Sequence, residues 1–418
     1  MSGLLQHLKT VDSMLGSCAG IKPGLGEKYA VLWHEKAEAL ARELLDLDHS
    51  RFEPFDVKWE HWNDGTDHIV ITKMNTEKKT DGVLSNRHVL FVASFHDNSD
   101  TLSQLHLLHY VCLQLRPASV TVVLPFIPTG TMERIAPGKE GDVPTAFTLA
   151  SMFNGLPFNP GVRIMTYEIH ALQIAFYFQV KSGITPHSAI PMLINHTRNA
   201  GIDCVVFPDD GANKRFSGYF PLEKFHVVTC AKQHASDEKS TKKTLRIELG
   251  NPEGRNVIIV DDMTRSGSTM FECMKAVIEK GAKSVSMFVT HAAFTDEFWM
   301  NLYTQSFGRN SDNFKSKFKK FYTTNSVHSA NMEFVEYRCR NSRIIYMDKL
   351  RRMKMPKESP FVKLKEDFSQ FDVLNITGDH YDLLLERWFT RLPAVDDENS
   401  LAEKFEILSL AETIVKDL

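Results

Sequence analysis

Seven short apolar, β-branched runs recur along the chain, at residues 88–95 (HVLFVASF), 120–126 (VTVVLPF), 162–167, 202–207 (IDCVVF), 225–230, 256–260 (NVIIV) and 284–290 (SVSMFVT). Most are too continuously apolar for a half-exposed strand, so they predict strands covered on both faces. Helical stretches lie between them, at 102–115, 145–153, 188–200 and 268–280. In the last, Met270, Cys273, Met274, Val277 and Ile278 fall at i, i+3, i+4, i+7 and i+8, one apolar face of a helix. Ala37, Leu40, Ala41, Leu44 and Leu45 repeat that spacing and predict a helix over 33–45. Buried strands alternating with amphipathic helices predict an α/β architecture of mostly parallel sheets flanked by helices.

The pattern occurs twice, on either side of the polar stretch Gln179 to Pro186. With 418 residues against about 100–200 per domain, this predicts two tandem domains, 1–185 and 186–418. Beyond Phe298 the rhythm fails. Residues 309–357 hold 13 Lys/Arg against 4 Asp/Glu, so the block at about 308–360 reads as a basic insertion, with core-like sequence resuming at Phe371 (FDVLNIT) and Phe405 (FEILSL). A solvated loop is the plain reading of that block, and nucleic acid is expected nowhere else.

Lys+Arg total 49 and Asp+Glu 52, with 43% hydrophobic residues, the balance of an ordinary soluble protein. No apolar run approaches the ~18–20 residues of a membrane helix, and residues 1–12 lack a basic start followed by an apolar stretch. The C-terminal Val415-Lys-Asp-Leu418 is not a Ser-Lys-Leu address. A cytoplasmic protein without membrane contact is the expectation. The six cysteines, Cys18, Cys112, Cys204, Cys230, Cys273 and Cys339, never form C-x-x-C, which disfavours a zinc ribbon or redox motif.

The most informative segment is Asn256 to Thr269, NVIIVDDMTRSGST. A buried strand runs into Asp261 and Asp262, a small polar loop follows, and a helix is predicted from about Ser268. Two carboxylates and free backbone N–H groups then meet at a sheet's carboxyl edge. Thr264, Arg265, Ser266, Gly267, Ser268 and Thr269 can wrap a monophosphate with N–H groups, hydroxyls and the helix dipole, while the aspartates suit vicinal hydroxyls or Mg2+. Gly267 permits close backbone approach. An Asp-Asp turn before a helix cap explains the acidic pair alone, but not the whole pattern.

Residues 257–269 resemble the phosphoribosyl pyrophosphate signature of the type I phosphoribosyltransferase fold. PFIPTGTMER (125–134), EGDVPTAFTLA (140–150), YEIHALQIAFYF (167–178), FPDDGANKRF (207–216) and ELGNPEG (248–254) narrow the likeness to the ribose-phosphate diphosphokinases of the plant-type class II. The similarity runs from about Tyr29 to Phe298 and returns at Phe371. It implies two phosphoribosyltransferase-like domains and transfer of the diphosphoryl group of Mg-ATP to the C1 hydroxyl of ribose 5-phosphate, giving phosphoribosyl pyrophosphate and AMP. Mg2+ is the implied cofactor, and a homo-oligomer, at least a dimer, the implied assembly.

The resemblance also implies roles. His170 matches an active-site histidine that contacts metal and nucleotide phosphates, and Asp209 an acid that positions ribose hydroxyls and Mg2+. With Asp261 these form the implied metal set, and Asp209, Asp261, Asp262 and the 264–269 loop the ribose 5-phosphate set. Lys232 matches the lysine of a catalytic loop in the charged stretch 231–243, where it would stabilise charge on the transferring group. His234 stands where the family usually has Arg, and cannot clasp a phosphate bidentately. No G-x-x-x-x-G-K-[ST] occurs, so the nucleotide is not held by a Walker A loop. Trp62 and Asp64 match a loop that captures adenine from a neighbouring subunit, and Arg134 is the cation available to ATP phosphates. Two other readings are weighed: a base phosphoribosyltransferase, disfavoured by the second domain, and a catalytically silent regulatory paralogue, motivated by His234 and the basic block.

Overall fold

The computed structural model describes residues 27–72, 83–95, 97–128, 132–135, 137–157, 161–178, 183–233, 244–307, 314, 316–327 and 404–418. Its strands are β1 (Tyr29–Trp33), β2 (Phe52–Pro54), β3 (Val57–His61), β4 (Asp67–Ile71), β5 (His88–Val92), β6 (Ser119–Val123), β7 (Val162–Tyr167), β8 (Ile184–His187), β9 (Cys204–Phe207), β10 (His226–Gln233), β11 (Thr244–Leu249), β12 (Asn256–Thr264), β13 (Ser284–Ala292), β14 (Phe318–Thr324) and β15 (Phe405–Leu408). The α-helices used below are α1 (Glu38–Leu47), α2 (Asn98–Gln114), α3 (Thr145–Asn154), α4 (Ile190–His196), α5 (Asp210–Phe216), α6 (Ser268–Glu279), α7 (Asp296–Phe307) and α8 (Ala411–Asp417).

Two sheets carry the fold, as the alternating runs predict. The first has the order β2-β1-β5-β6-β7-β8 and is parallel throughout. The second has the order β11-β10-β9-β12-β13-β14-β15 and is parallel except for the β10/β11 pair. Strands such as β1, β5 and β6 are buried at every position, the state that helices on both faces impose. Helix α1 buries Leu40, Ala41, Leu44 and Leu45, the predicted stripe, and each buried leucine contributes about 1.5–3 kcal/mol.

The expected boundary at 185 falls inside β8, so the first sheet continues to His187. The C-terminal helix α8 returns to the first half. Arg51 Nη1 donates to the Val415 carbonyl at 3.1 Å, and His187 Nδ1 lies 2.9 Å from Asp417 Oδ2. One apolar cluster joins Val31, Leu44 and Tyr167 of the first half to Val205, Val260, Phe288 and Ile414 of the second. A core shared this way opposes free hinge motion between the halves.

The basic block is not one insertion. Residues 318–324 form β14, between β13 and β15 in the second sheet, with Phe318, Phe321 and Tyr322 buried. Lysine stems explain the misleading charge: Lys317 Nζ reaches the Ala282 carbonyl at 2.9 Å, while Lys319 is exposed beside the buried aromatics. The run expected at Phe371, and the rest of 328–403, lie outside the described residues. No helix among the described residues is long and apolar enough to cross a membrane.

Candidate active site

The site forms where β12 outruns its neighbour. β9 pairs with β12 only through Val206 and Ile259, whereas β12 and β13 stay paired as far as Thr264 and Ala292. The segment Asp261 to Thr264 therefore stands in a notch at the carboxyl edge of the second sheet. Asp209, just after β9, enters the same notch as N-cap of α5, where its Oδ1 accepts from Ala212 N at 2.9 Å.

Next comes the loop to α6. Gly267 sits at φ +71°, and a Cβ there would meet Phe271 Cε2 at 2.6 Å and Phe298 Cδ2 at 2.7 Å, so only glycine fits on two counts. It is the N-cap of α6 and has no side chain to cap the helix; its own N–H donates to Thr264 Oγ1 at 3.1 Å and the Ser268 N–H to Ser266 Oγ at 3.4 Å, which leaves the following N–H groups of the first turn for an anion. Asn301 Nδ2 donates to the Ser266 carbonyl at 2.9 Å, and Thr295 N to the Arg265 carbonyl at 3.0 Å. Because a trans peptide points its N–H opposite to its carbonyl, anchoring the Arg265 carbonyl toward Thr295 turns the Ser266 N–H the other way. Ser266 and Ser268 hydroxyls lie 3.0 Å apart on the same loop.

Adjacent residues of a strand point to opposite faces, so Asp261 and Asp262 do not act as a matched pair. Asp262 is 3% exposed. Its Oδ1 accepts from Met263 N at 2.8 Å; its Oδ2 lies 2.8 Å from His170 Nδ1 and accepts from Arg215 Nη1 at 2.6 Å. Arg215 Nη2 also donates to the His170 carbonyl. Burial works against the Asp262 charge, but the His170 hydrogen bond and the Arg215 guanidinium outweigh it and hold the carboxyl down to about 2. The same bond from Asp262 raises the His170 ring above the ordinary histidine range, against a smaller opposing effect of burial.

Asp261 is only partly exposed, and its Oδ1 accepts from Asp262 N at 2.9 Å. Burial first, then the charges of Asp262 and Asp209, push its carboxyl well above the usual carboxylate range. Among the described residues, no Lys or Arg forms an ion pair with it. Crowded carboxylates short of a cation fit Mg2+, which takes oxygen donors and keeps several waters and substrate oxygens. No three His, Cys, Asp or Glu among the described residues are gathered as a metal-holding group, so the expected set of His170, Asp209 and Asp261 is not brought together as one.

The remaining expected residues lie elsewhere. Lys232 is in β10, opposite Leu245 of β11, so the strand reaches further into the charged stretch than its composition suggests; His234 and the rest of 234–243 lie outside the described residues. Trp62 is 57% exposed at the tip of the β3–β4 hairpin, with its ring 4.3 Å from that of His68. Asp64 folds onto its own turn, accepting from Thr66 N at 3.0 Å and Thr66 Oγ1 at 2.6 Å. Arg134 is exposed, with Nε 3.4 Å from Glu133 Oε1, and residues 129–131 are outside the described set. A cavity of about 210 Å3 opens between the carboxyl edges of the two sheets, lined by Phe95, Phe126, Met263, Arg265 and Phe294 among others. Trp62 is not among them.

Sequence reasoning missed Arg215, Thr295 and Asn301. Arg215 had one available signal, a cation one short helix beyond Asp209 in a region rich in carboxylates; the other two sit more than 25 residues beyond the loop they brace.

A family model for the phosphoribosyl transferase domain matches residues 194–300. A rice (Oryza sativa subsp. japonica) protein named ribose-phosphate pyrophosphokinase 4 is 38% identical over 277 residues, 65% of this chain and 78% of that protein. An Arabidopsis thaliana protein of the same name is 34% identical over 297 residues, 70% and 81% of the two chains. With a rice ribose-phosphate pyrophosphokinase 3 named chloroplastic, identity is 36% over 280 residues, covering 65% of this chain and 64% of that one. The crystal structure of phosphoribosylpyrophosphate synthetase from Mycobacterium smegmatis matches with a TM-score of 0.58 at 14% identity, covering 94% of this chain and 97% of the other, a likeness of fold. The expectation of a cytoplasmic protein is overturned: relatives from rice and Arabidopsis are named chloroplastic, and one from spinach mitochondrial.

Proposed function

Because the chain belongs to the ribose-phosphate pyrophosphokinase family, we propose that it transfers the diphosphoryl group of Mg-ATP to the C1 hydroxyl of ribose 5-phosphate, releasing AMP. One observation carries this reading: the start of α6, with Gly267 at φ +71° as an N-cap that has no side chain, opens beside Asp209 and Asp261 at the edge of the second sheet. That juxtaposition suits a ligand with a phosphate at one end and vicinal hydroxyls at the other.

The 5-phosphate is then held by N–H groups and hydroxyls of Thr264 to Thr269 and by the helix dipole. Asp209 and Asp261 accept hydrogen bonds from the ribose hydroxyls and fix the ring, so the C1 hydroxyl is presented in one orientation. Asp261 and Asp209 are the carboxylates that would hold Mg2+, which would supply charge neutralisation for the phosphates. His170 Nε2 is the ring nitrogen left for nucleotide phosphate once Nδ1 faces Asp262. Lys232 is assigned to the charge on the transferring group and Arg134 to the ATP phosphates. The cavity between the sheets gives ATP an approach to this notch, while adenine capture by Trp62 and Asp64 is assigned to a second copy of the chain.

The test is incubation of the pure protein with Mg-ATP and ribose 5-phosphate. AMP that appears only with the sugar present supports the reading. Sugar binding without AMP would instead identify a silent regulatory subunit.

A further inference from the structure

The Asp262 and Arg215 side chains are tied into one cluster of contacts, whereas Asp261 accepts from the Asp262 N–H and pairs with no cation among the described residues. The Asp262 carboxylate takes three donors, the Met263 N–H, the His170 ring and the Arg215 guanidinium. The guanidinium in turn spans the two halves, giving one N–H to Asp262 of the second and another to the main-chain carbonyl of His170 of the first. It sits in the last turn of α5, one helix from Asp209, with its charge 5.3 Å over the ring of Phe216, a buried residue. A carboxylate with three donors has little capacity left for sugar hydroxyls.

We propose that Arg215 and Asp262 are positioning residues: together they fix the ring and backbone of His170 across the boundary between the two halves, and Asp261 alone of the acidic pair meets the sugar. This deepens the proposed diphosphoryl transfer and rests on it for the meaning of His170. A planar fork is what the geometry requires, since one side chain must serve two acceptors on two elements. A carboxylate behind a histidine also fixes which ring nitrogen carries the proton, leaving the other for the ligand.

The test uses the full chain with Arg215→Lys and Asp262→Asn. Lysine keeps the charge but presents a point ammonium that cannot hold both acceptors. Both variants should lose turnover by about tenfold or more, while the ribose 5-phosphate dissociation constant from calorimetry stays within about threefold. At a pH high enough to leave the ring neutral, long-range 15N–1H spectra of histidine-labelled protein should show the His170 proton held at Nδ1 in the parent and averaged between the two nitrogens in Asp262→Asn, with a smaller change of the same sense in Arg215→Lys. Loss of sugar affinity with turnover intact would overturn the proposal and place these residues in the sugar site. An unchanged His170 signal with unchanged turnover would overturn it too. If the parent forms no AMP, the diphosphoryl reading fails, yet the His170 signal and the sugar affinity still decide the positioning role. Should Asp262→Asn not fold, Arg215→Lys alone carries the same readouts.

Discussion

Asp262 Oδ2 lies 2.8 Å from Nδ1 of His170, and this contact joins the second sheet to a residue just beyond the last strand but one of the first. The acidic pair of the motif is thereby divided. Asp262 is compensated by a ring and a guanidinium, while burial and the neighbouring carboxylates push the Asp261 carboxyl well above the usual carboxylate range.

Asp261→Asn should stabilise the unliganded protein and weaken its ligand. Removing a crowded charge relieves repulsion from Asp262 and Asp209, so the unfolding midpoint should rise. The same change removes a ligand for ribose hydroxyls and Mg2+, so ribose 5-phosphate affinity in the presence of Mg2+ should fall by about tenfold or more. Calorimetry and thermal unfolding check the two halves; a lower midpoint with unchanged affinity would contradict both.

Gly267→Ala should be costly without touching any titratable group. The left-handed backbone and the contacts a Cβ would make with Phe271 and Phe298 together predict a loss on the order of 2–4 kcal/mol. Urea unfolding measures it. A loss below about 0.5 kcal/mol would show that the two rings yield freely.

Asn301→Ala should loosen the phosphate loop from behind. The side chain holds the Ser266 carbonyl, and removing one such bond costs about 1 kcal/mol, with a matching loss of about fivefold in affinity for ribose 5-phosphate. Unchanged affinity in calorimetry would free the loop from any dependence on α7.

His291 predicts an acid-dependent loss of stability. Its ring is buried between the Tyr167 carbonyl, 2.9 Å from Nε2, and the Ser326 hydroxyl, 2.8 Å from Nδ1, and burial brings its pKa down from 6.5 to about 4. The folded protein thus favours the neutral ring. Its contribution is fully present above pH 6.5 and is lost as pH falls toward 4, by roughly 3 kcal/mol. His291→Gln should flatten the fall in stability between those limits, as read by urea unfolding at several pH values. An equally steep fall in the variant would assign the acid sensitivity to other groups.

Much of this fold was legible in the sequence because burial on both faces leaves a clear trace. NVIIV became β12 and HVLFV became β5, and the stripe from Met270 to Val277 became the buried face of α6. Other elements were masked by their neighbours. YAVLW, which is β1, runs almost directly into the stripe of α1, so helical periodicity hides it. In β14 the lysines of FKKFYTT raise the local charge although its aromatics are buried, and polarity concealed a strand paired on both sides. At the site, the glycine and the acidic pair were readable because backbone geometry and charge demand those residue types. The clamp was not. A bond from Arg215 to a main-chain carbonyl 45 residues earlier depends on how two sheets dock, and main-chain acceptors carry no residue signature.

Diphosphoryl transfer to the sugar is the central claim, and phosphorus NMR of a reaction containing the protein, Mg-ATP and ribose 5-phosphate tests it most directly. The predicted result is a new diphosphate ester on C1 appearing in equal amount with AMP, and no conversion when the sugar is omitted. ADP with orthophosphate, or unchanged ATP while calorimetry shows the sugar bound, would contradict it.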